Sequence, residues 1–230
     1  ILNFLESRDN KRSRGHEGPS VKAYLILIKD YPDAAQHLPA LLAHLFLTDD
    51  LKGTPELDRL VAIRAFLLEK AQNPNTLEFE QTPNGRPIGV GDVLLRIIEG
   101  LLAKQHVEQT RCRTNPLNLT LCRAAIAVLS VTLQRCLLSN QPILSLDMAN
   151  HYHNTSTLQT SALLNEVDQP NLARYVDVTG GRTYHFNHNA TPYTIQNHGL
   201  TQGGSISTLA STVAMDHVLN PIRTIEGTQV

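Results

Sequence analysis

The sequence predicts an α/β protein in which a mainly parallel sheet is covered by helices, with an antiparallel hairpin near the C-terminus. Two short apolar segments, 23–28 and 142–146, have the length of buried strands. Longer segments between and around them repeat apolar residues at helical spacing. Because the two kinds of segment alternate through most of the chain, we expect strand–helix–strand units, which are typical of parallel sheets.

The first half of the chain is predicted to contain three strands and three helices. The strands are bounded by prolines, turn residues or polar pairs, and two of the helices begin with good N-cap residues. Strict alternation in Thr76–Glu80 places Leu77 and Phe79 on one face of a strand. The predicted strands are 23–28, 76–80 and 87–92, and the helices begin at Pro32, at Thr54–Pro55 (continuing to about Asn73) and at Asp92.

The second half begins with a helix from Asn115–Pro116 to about Ser139 that is apolar on most sides. We therefore expect this helix to be central and buried. Strand 142–146 then ends in a polar elbow, and a helix follows near 157–167. The predicted C-terminal elements are hairpin strands 175–178 and 183–186 around Gly180–Gly181, a loop over 187–204 and a last helix capped by Ser205.

Length and composition limit the domain organisation and the partners. The 230 residues predict a flexible polar leader over 1–20 and a single domain over 21–230. A net charge of −1 gives no reason to expect nucleic acid as a partner. The longest apolar run, Ala124–Leu133, is too short to span a bilayer. Three cysteines without close spacing argue against a disulfide framework or zinc ribbon and fit a reducing cytosol.

Four residues are candidates for catalysis because they follow predicted strands, where α/β sheets place their sites. Asp30 follows the first strand and Glu80 ends the second. His151 and His153 lie in the polar elbow, and such a His-x-His pair can hold a metal or supply a general base. The alternatives are a helix cap for Asp30, a solvated edge carboxylate for Glu80 and ordinary loop histidines.

The order of these elements resembles the erythromycin-esterase-like, ChaN-like and TIKI-like superfamily of hydrolases and metal-binding proteins. In that superfamily the first strand ends in Gly-Glu-x-His, a second strand ends in glutamate and a late strand ends in Gly-x-Gly-His. By this resemblance Asp30 stands for the first glutamate, Glu80 matches the second acid, and His151, in Ala149–Asn150–His151, matches the late histidine. The resemblance covers roughly residues 23–180, and the first-strand histidine is absent.

The resemblance implies a hydrolase acting on a small-molecule substrate. His151 would be the general base, Asp30 and Glu80 would orient it or hold water or a metal, and His153 is the reserve base. A divalent metal would be the cofactor of such a hydrolase. The ChaN-like branch implies a third alternative, in which the chain is a carrier of a small molecule or of haem as its cofactor.

The polar leader and small size also resemble plant-pathogen type III secreted effectors of the Hop class. That resemblance implies secretion into the host cytoplasm; without it a cytoplasmic location is expected. The missing first-strand histidine keeps an alternative open, in which the chain is a catalytically inactive effector that binds a host protein and triggers a host response.

Overall fold

A computed structural model describes most of the chain outside the N-terminal segment. The described residues are 20–33, 37, 48, 52–69, 85–115, 118, 120–121, 125–143, 148, 150–188 and 191–223. They form helices α1 (Val21–Asp30), α2 (Pro55–Val61), α3 (Val93–Arg113), α4 (Ala125–Leu138), α5 (His151–Asn154), α6 (Thr157–Glu166), α7 (Pro170–Val178) and α8 (Ser205–Arg223), and strands β1 (Ile63–Glu69), β2 (Gly85–Val90), β3 (Arg182–His188) and β4 (Thr191–Asn197).

The four described strands form one mixed sheet in the order β2-β1-β3-β4. β1 pairs antiparallel with β2 and parallel with β3, while β3 pairs antiparallel with β4. The α/β class is therefore confirmed, but the mainly parallel sheet is not, because only one of the three pairings is parallel. The C-terminal antiparallel hairpin exists, although its two strands are β3 and β4 rather than the predicted 175–178 and 183–186.

The predicted first strand is wrong, because residues 23–28 lie inside α1. Ser20 caps this helix by accepting a hydrogen bond from the backbone N–H of Ala23 at 3.3 Å. Val21 and Ile28 are buried, and Tyr24 and Leu25 pack against the same core, which is helical spacing. Burial and the nearby Asp92 carboxylate raise the pKa of Tyr24 to about 12, so α1 lies close to the start of α3.

The predicted helix after Thr54 is correct at its start and wrong in its length. Thr54 caps α2 and Pro55 occupies its first turn, but the helix ends at Val61. The following residues form β1, where Ile63 and Ala65 are buried and Arg64 and Phe66 are exposed. This two-residue alternation suits a strand with one face on the core, and pairing with two neighbours overrides helical propensity.

Three further predictions agree with the structure. Asp92 follows β2 and caps α3 by accepting from the backbone N–H of Leu94 at 2.8 Å. Helix α6 occupies nearly the predicted range, and α8 begins at the predicted Ser205. α8 packs against α3 and α6, and α6 packs against α7. Strand 76–80 lies outside the described residues, and 142–143 are not in a strand.

Residues 175–178 are helical, so the predicted glycine hairpin is wrong. They belong to α7, which has Pro170 in its first turn and buries Leu172, Ala173 and Val176 at helical spacing. Gly180–Gly181 instead connect α7 to β3, and Gly181 adopts a φ of +70° that favours glycine. The predicted loop over 187–204 contains β4, which pairs with β3 along its whole length.

Helix α4 is exposed, contrary to the expectation that it would be central and buried. Ile126 is 83% exposed and Leu138 is 88% exposed, and the residues between them include further exposed Val and Leu side chains. The core lies elsewhere, between the sheet and helices α3, α6, α7 and α8, where Ile63, Leu95 and Leu164 are completely buried. Among the described helices, none combines the length and apolarity needed to cross a bilayer.

Candidate functional site

The four predicted catalytic residues occupy three different situations. Asp30 is the exposed last residue of α1, at the end of a helix rather than of a strand. His151 and His153 are half-buried in the single-turn helix α5. Glu80 lies outside the described residues. The structure therefore keeps the two histidines on one element, and the catalytic roles of all four residues stay predictions.

The histidine-bearing turn is held against the segment that follows β4. The backbone N–H of Leu200 donates to the carbonyl oxygen of Tyr152 at 2.8 Å, and Ser156 forms a β-bridge with Gly199. A side chain at position 199 would overlap the backbone of His153, so this close approach requires glycine. Asn197 fixes the turn further, since its side-chain N–H donates to the carbonyl oxygen of Gly199 at 3.0 Å.

One ring nitrogen on each histidine is buried and has no hydrogen-bond partner among the residues that the structure describes: Nδ1 of His151 and Nε2 of His153. The His153 ring packs edge-on against the Tyr184 ring, with 5.8 Å between centroids. Burial lowers the pKa of His153, which favours a neutral imidazole near pH 7. A neutral imidazole can accept a proton, so His153 has the protonation state that a general base requires.

The described residues do not supply a metal site around these histidines. Within the part of the chain that the structure describes, no three His, Cys, Asp or Glu side chains gather as metal ligands. Protein sites for catalytic zinc use at least three such ligands. A divalent metal held by Asp30, His151 and His153 therefore does not fit this arrangement.

A second constellation, which the sequence did not reveal, joins Glu99 of α3, Tyr175 of α7 and Arg182 of β3. The hydroxyl of Tyr175 donates to Oε1 of Glu99 at 2.8 Å. Nη2 of Arg182 donates to the same oxygen at 3.2 Å and to the Tyr175 hydroxyl at 3.1 Å. The other carboxylate oxygen accepts from the backbone N–H of Ser205 at 3.2 Å, at the start of α8.

Burial sets the chemistry of this network. The Glu99 and Arg182 side chains are only 5% and 8% exposed, and their ion pair is sealed from solvent. Burial and then the Glu99 charge raise the pKa of Tyr175 well above its usual value, so this phenol stays protonated. Burial lowers the pKa of Arg182, but its interactions with Tyr175 and Glu99 raise the pKa by more, so the guanidinium stays charged. The network thus joins three helices and one strand through a fixed charge pair.

A small pocket lies over this network. Its walls include Glu99, Tyr175, Arg182 and Thr157, together with the glycine turn at Gly199. The space open to the centre of a water molecule is only about 10 Å³. That space holds about one water molecule, since a single water needs roughly 10–15 Å³ by this measure. The pocket is therefore too small for an organic substrate.

Helix α4 carries an exposed apolar surface. Ile126, Leu129, Leu133 and Leu137 follow one another at spacings of three and four residues, and all four are exposed. They form one stripe along the helix, which we call the α4 stripe. Arg135 is the only charged side chain of this helix. Sequence reasoning identified the helix and its apolar character but assigned it to the core.

No protein-family model matches the chain, and no curated protein is significantly similar to it in sequence.

Proposed function

We propose that this chain is an effector-type protein that acts by binding a host protein rather than by catalysis. The exposed α4 stripe carries the proposal. Monomeric soluble proteins rarely expose a contiguous apolar patch of this kind, and such patches mark interaction sites. The host cytoplasm would be the place of action.

The composition of α4 favours a protein groove over other partners. A helix of 14 residues spans about 21 Å at 1.5 Å per residue, which is shorter than the apolar core of a bilayer. Helices that lie on membranes carry a strongly charged polar face, whereas α4 has only Arg135. Anchors at i, i+3, i+7 and i+11 are those of a helix that docks into an apolar groove.

The energetics fit a modest affinity. Complete burial of a fully exposed Leu or Ile side chain contributes about 1.5–3 kcal/mol. Because the four residues of the α4 stripe are only 37–83% exposed, their burial would contribute roughly 4–7 kcal/mol. Association itself costs roughly 4–15 kcal/mol. The stripe therefore needs further contacts around it to give a stable complex, and polar residues beside it, such as Ser130, can provide them.

Site-specific photo-crosslinking inside host cells tests the proposal. A benzophenone amino acid at Ile126 should form an adduct with a host protein. Leu129→Glu should reduce this adduct at least tenfold, while Gln134→Glu, which adds the same charge about 140° around the helix, should leave it unchanged. Because both positions are exposed, both variants should fold normally. No adduct, or equal loss in the two variants, would contradict the proposal.

Hydrolysis is the second candidate, and the observation that favours it is the two buried ring nitrogens of α5, for which the described part of the chain supplies no hydrogen-bond partner. In this candidate His151 or His153 takes a proton from water without help from a metal. Removal of the general base should lower the rate about 10²–10⁴-fold. The test is hydrolysis of generic esters by His151→Ala and His153→Ala, with Asp30→Asn reporting the predicted acid. Absence of any esterase activity in the purified wild-type protein excludes hydrolysis of these esters.

A further inference from the structure

Strand β4 forms one edge of the sheet. It pairs with β3 on one side, and no other described strand pairs with its second side. Its first six residues, 191–196, are all exposed. An edge strand of this kind presents a row of backbone N–H and C=O groups that can pair with another strand.

The register shows which backbone groups point away from β3. His188 pairs with Thr191, with two residues between them, as in a two-residue hairpin whose closing pair is hydrogen-bonded. Since hydrogen-bonding direction alternates along a strand, Thr191, Tyr193 and Ile195 bond toward β3. Pro192, Thr194 and Gln196 therefore direct their backbone groups outward. Pro192 has no N–H, and the outer side of an edge strand is where proline is tolerated.

Apart from Pro192, the usual protections against edge pairing are weak in β4. Its sequence, Thr-Pro-Tyr-Thr-Ile-Gln-Asn, contains no charged residue. Its two apolar side chains lie on one face beside the aromatic residues of β3: Tyr193 stacks on Phe186 at 4.9 Å, and Ile195 lies opposite Tyr184. Ile195 is nevertheless 51% exposed. An uncharged edge with exposed apolar side chains is a template for another strand.

We propose that β4 pairs antiparallel with β4 of a second copy of this chain, about a two-fold axis at Thr194. In this register Thr194 faces Thr194 of the second copy, and their backbones exchange two hydrogen bonds. The backbone N–H of Gln196 donates to the carbonyl oxygen of Pro192 in the second copy. By symmetry, Gln196 of the second copy donates in the same way to Pro192 of the first. Tyr193 faces Ile195 on both sides of the axis, so the two exposed apolar residues cover each other.

This symmetry of the strand is the reason for choosing a second copy as the partner. A strand pairs with itself only if residues at equal distances from its centre are compatible, and β4 satisfies this at Thr194 and at the Tyr193–Ile195 pair. The product is a continuous eight-stranded sheet with the two-fold symmetry that is commonest among soluble dimers. Because two short strands bury less than the roughly 1,200 Å² of a standard interface, we expect a weak, concentration-dependent dimer.

Disulfide formation tests the register directly. In a background with the three native cysteines replaced by serine, Thr194→Cys places the two thiols at the axis. Hydrogen-bonded antiparallel partners have Cα atoms about 5.5 Å apart, within the usual disulfide range of about 4.4–6.8 Å. Thr191→Cys is the matched control. In this register Thr191 faces Asn197 of the second copy, which lies six residues along the strand from Thr191 of that copy. The two copies of residue 191 are therefore roughly 20 Å apart.

The Thr194→Cys protein should form a covalent dimer in a glutathione buffer at least ten times faster than the Thr191→Cys protein. Equal rates, or no dimer at position 194, would overturn the inference.

Sedimentation velocity tests the association without new cysteines. Thr194→Pro removes the central outward N–H while leaving the side that bonds to β3 intact, and Ile195→Lys places a charge at the edge. Both variants should remain monomeric at concentrations where the wild-type protein dimerises, while Leu129→Glu in α4 should dimerise normally. A wild-type protein that stays monomeric up to roughly 100 μM, or variants that dimerise as well as the wild type, would refute the pairing.

Discussion

Replacement of Arg182 by methionine should strongly destabilise the fold. The substitution removes the cation from a pair whose carboxylate partner, Glu99, is nearly inaccessible to water. Glu99 would keep the Tyr175 hydroxyl and the Ser205 N–H, but its charge would be buried without compensation. Breaking a buried ion pair on one side costs about 3–5 kcal/mol. That is a large share of the roughly 5–15 kcal/mol that holds a typical domain folded.

The assay is urea unfolding followed by circular dichroism, together with thermal melts. For a protein of this size 1 kcal/mol corresponds to roughly 2–4 °C, so the melting temperature should fall by roughly 6–20 °C. Arg113→Met is the matched control, because Arg113 pairs with Asp168 at 3.1 Å but both side chains are more than half exposed. Exposed pairs contribute about 0–1 kcal/mol, so the control should change little.

A double variant separates the charge from the packing. Glu99→Gln combined with Arg182→Met removes both charges and keeps an oxygen near the Ser205 N–H, so it should be more stable than Arg182→Met alone. The buried-charge reasoning is refuted if Arg182→Met lowers the free energy of unfolding no more than Arg113→Met does. It is also refuted if Glu99→Gln destabilises the Arg182→Met protein as much as it destabilises the wild type.

Three further predictions follow from single residues. Gly199→Ala should destabilise the protein by about 1–3 kcal/mol in urea unfolding, because the new methyl group meets the backbone of His153. Burial lowers the pKa of His153, so the unfolded state binds the proton more tightly than the folded state does. The free energy of unfolding should therefore fall as the pH drops below about 6.5. His153→Phe should flatten this dependence when unfolding is measured from about pH 7.5 to 5. Asp92→Ala should cost about 1 kcal/mol by loss of the α3 cap, while Asp92→Asn, which can still accept from Leu94, should cost less.

The starts of α2 and α3 were predictable because their signals are local, whereas the helix predicted to begin at Asn115–Pro116 has its described start, α4, at Ala125. The side chains of Thr54 and Asp92 bond to backbone groups two or three residues away, and the structure confirms both caps. A continuous apolar run such as 23–28 is ambiguous between strand and helix. Only the burial of Val21 and Ile28 with the packing of Tyr24 and Leu25 shows the helical face.

The network was missed because its partners are distant in sequence, whereas β4 was missed although its partner β3 is local. β4 lies in a segment rich in Asn, His, Thr and Gly, which is typical of loops, but its Tyr193, Thr194 and Ile195 favour a strand and it forms seven register pairs with β3. Glu99 and Arg182 lie 83 residues apart, so their ion pair has no sequence signature. The exposure of α4 could not be predicted, because an apolar sequence indicates that a surface favours burial but does not indicate what covers that surface.

The parallel pairing of β1 with β3 determines when the sheet can be completed during synthesis. Ile63 pairs with Tyr184, so the central strand meets its neighbour only after about 120 more residues have left the ribosome. Until then β1 and β2 form at most an isolated antiparallel ribbon, which is marginally stable in water. A chain that must close so long a loop folds slowly, and its unfinished strands need protection from aggregation during that delay.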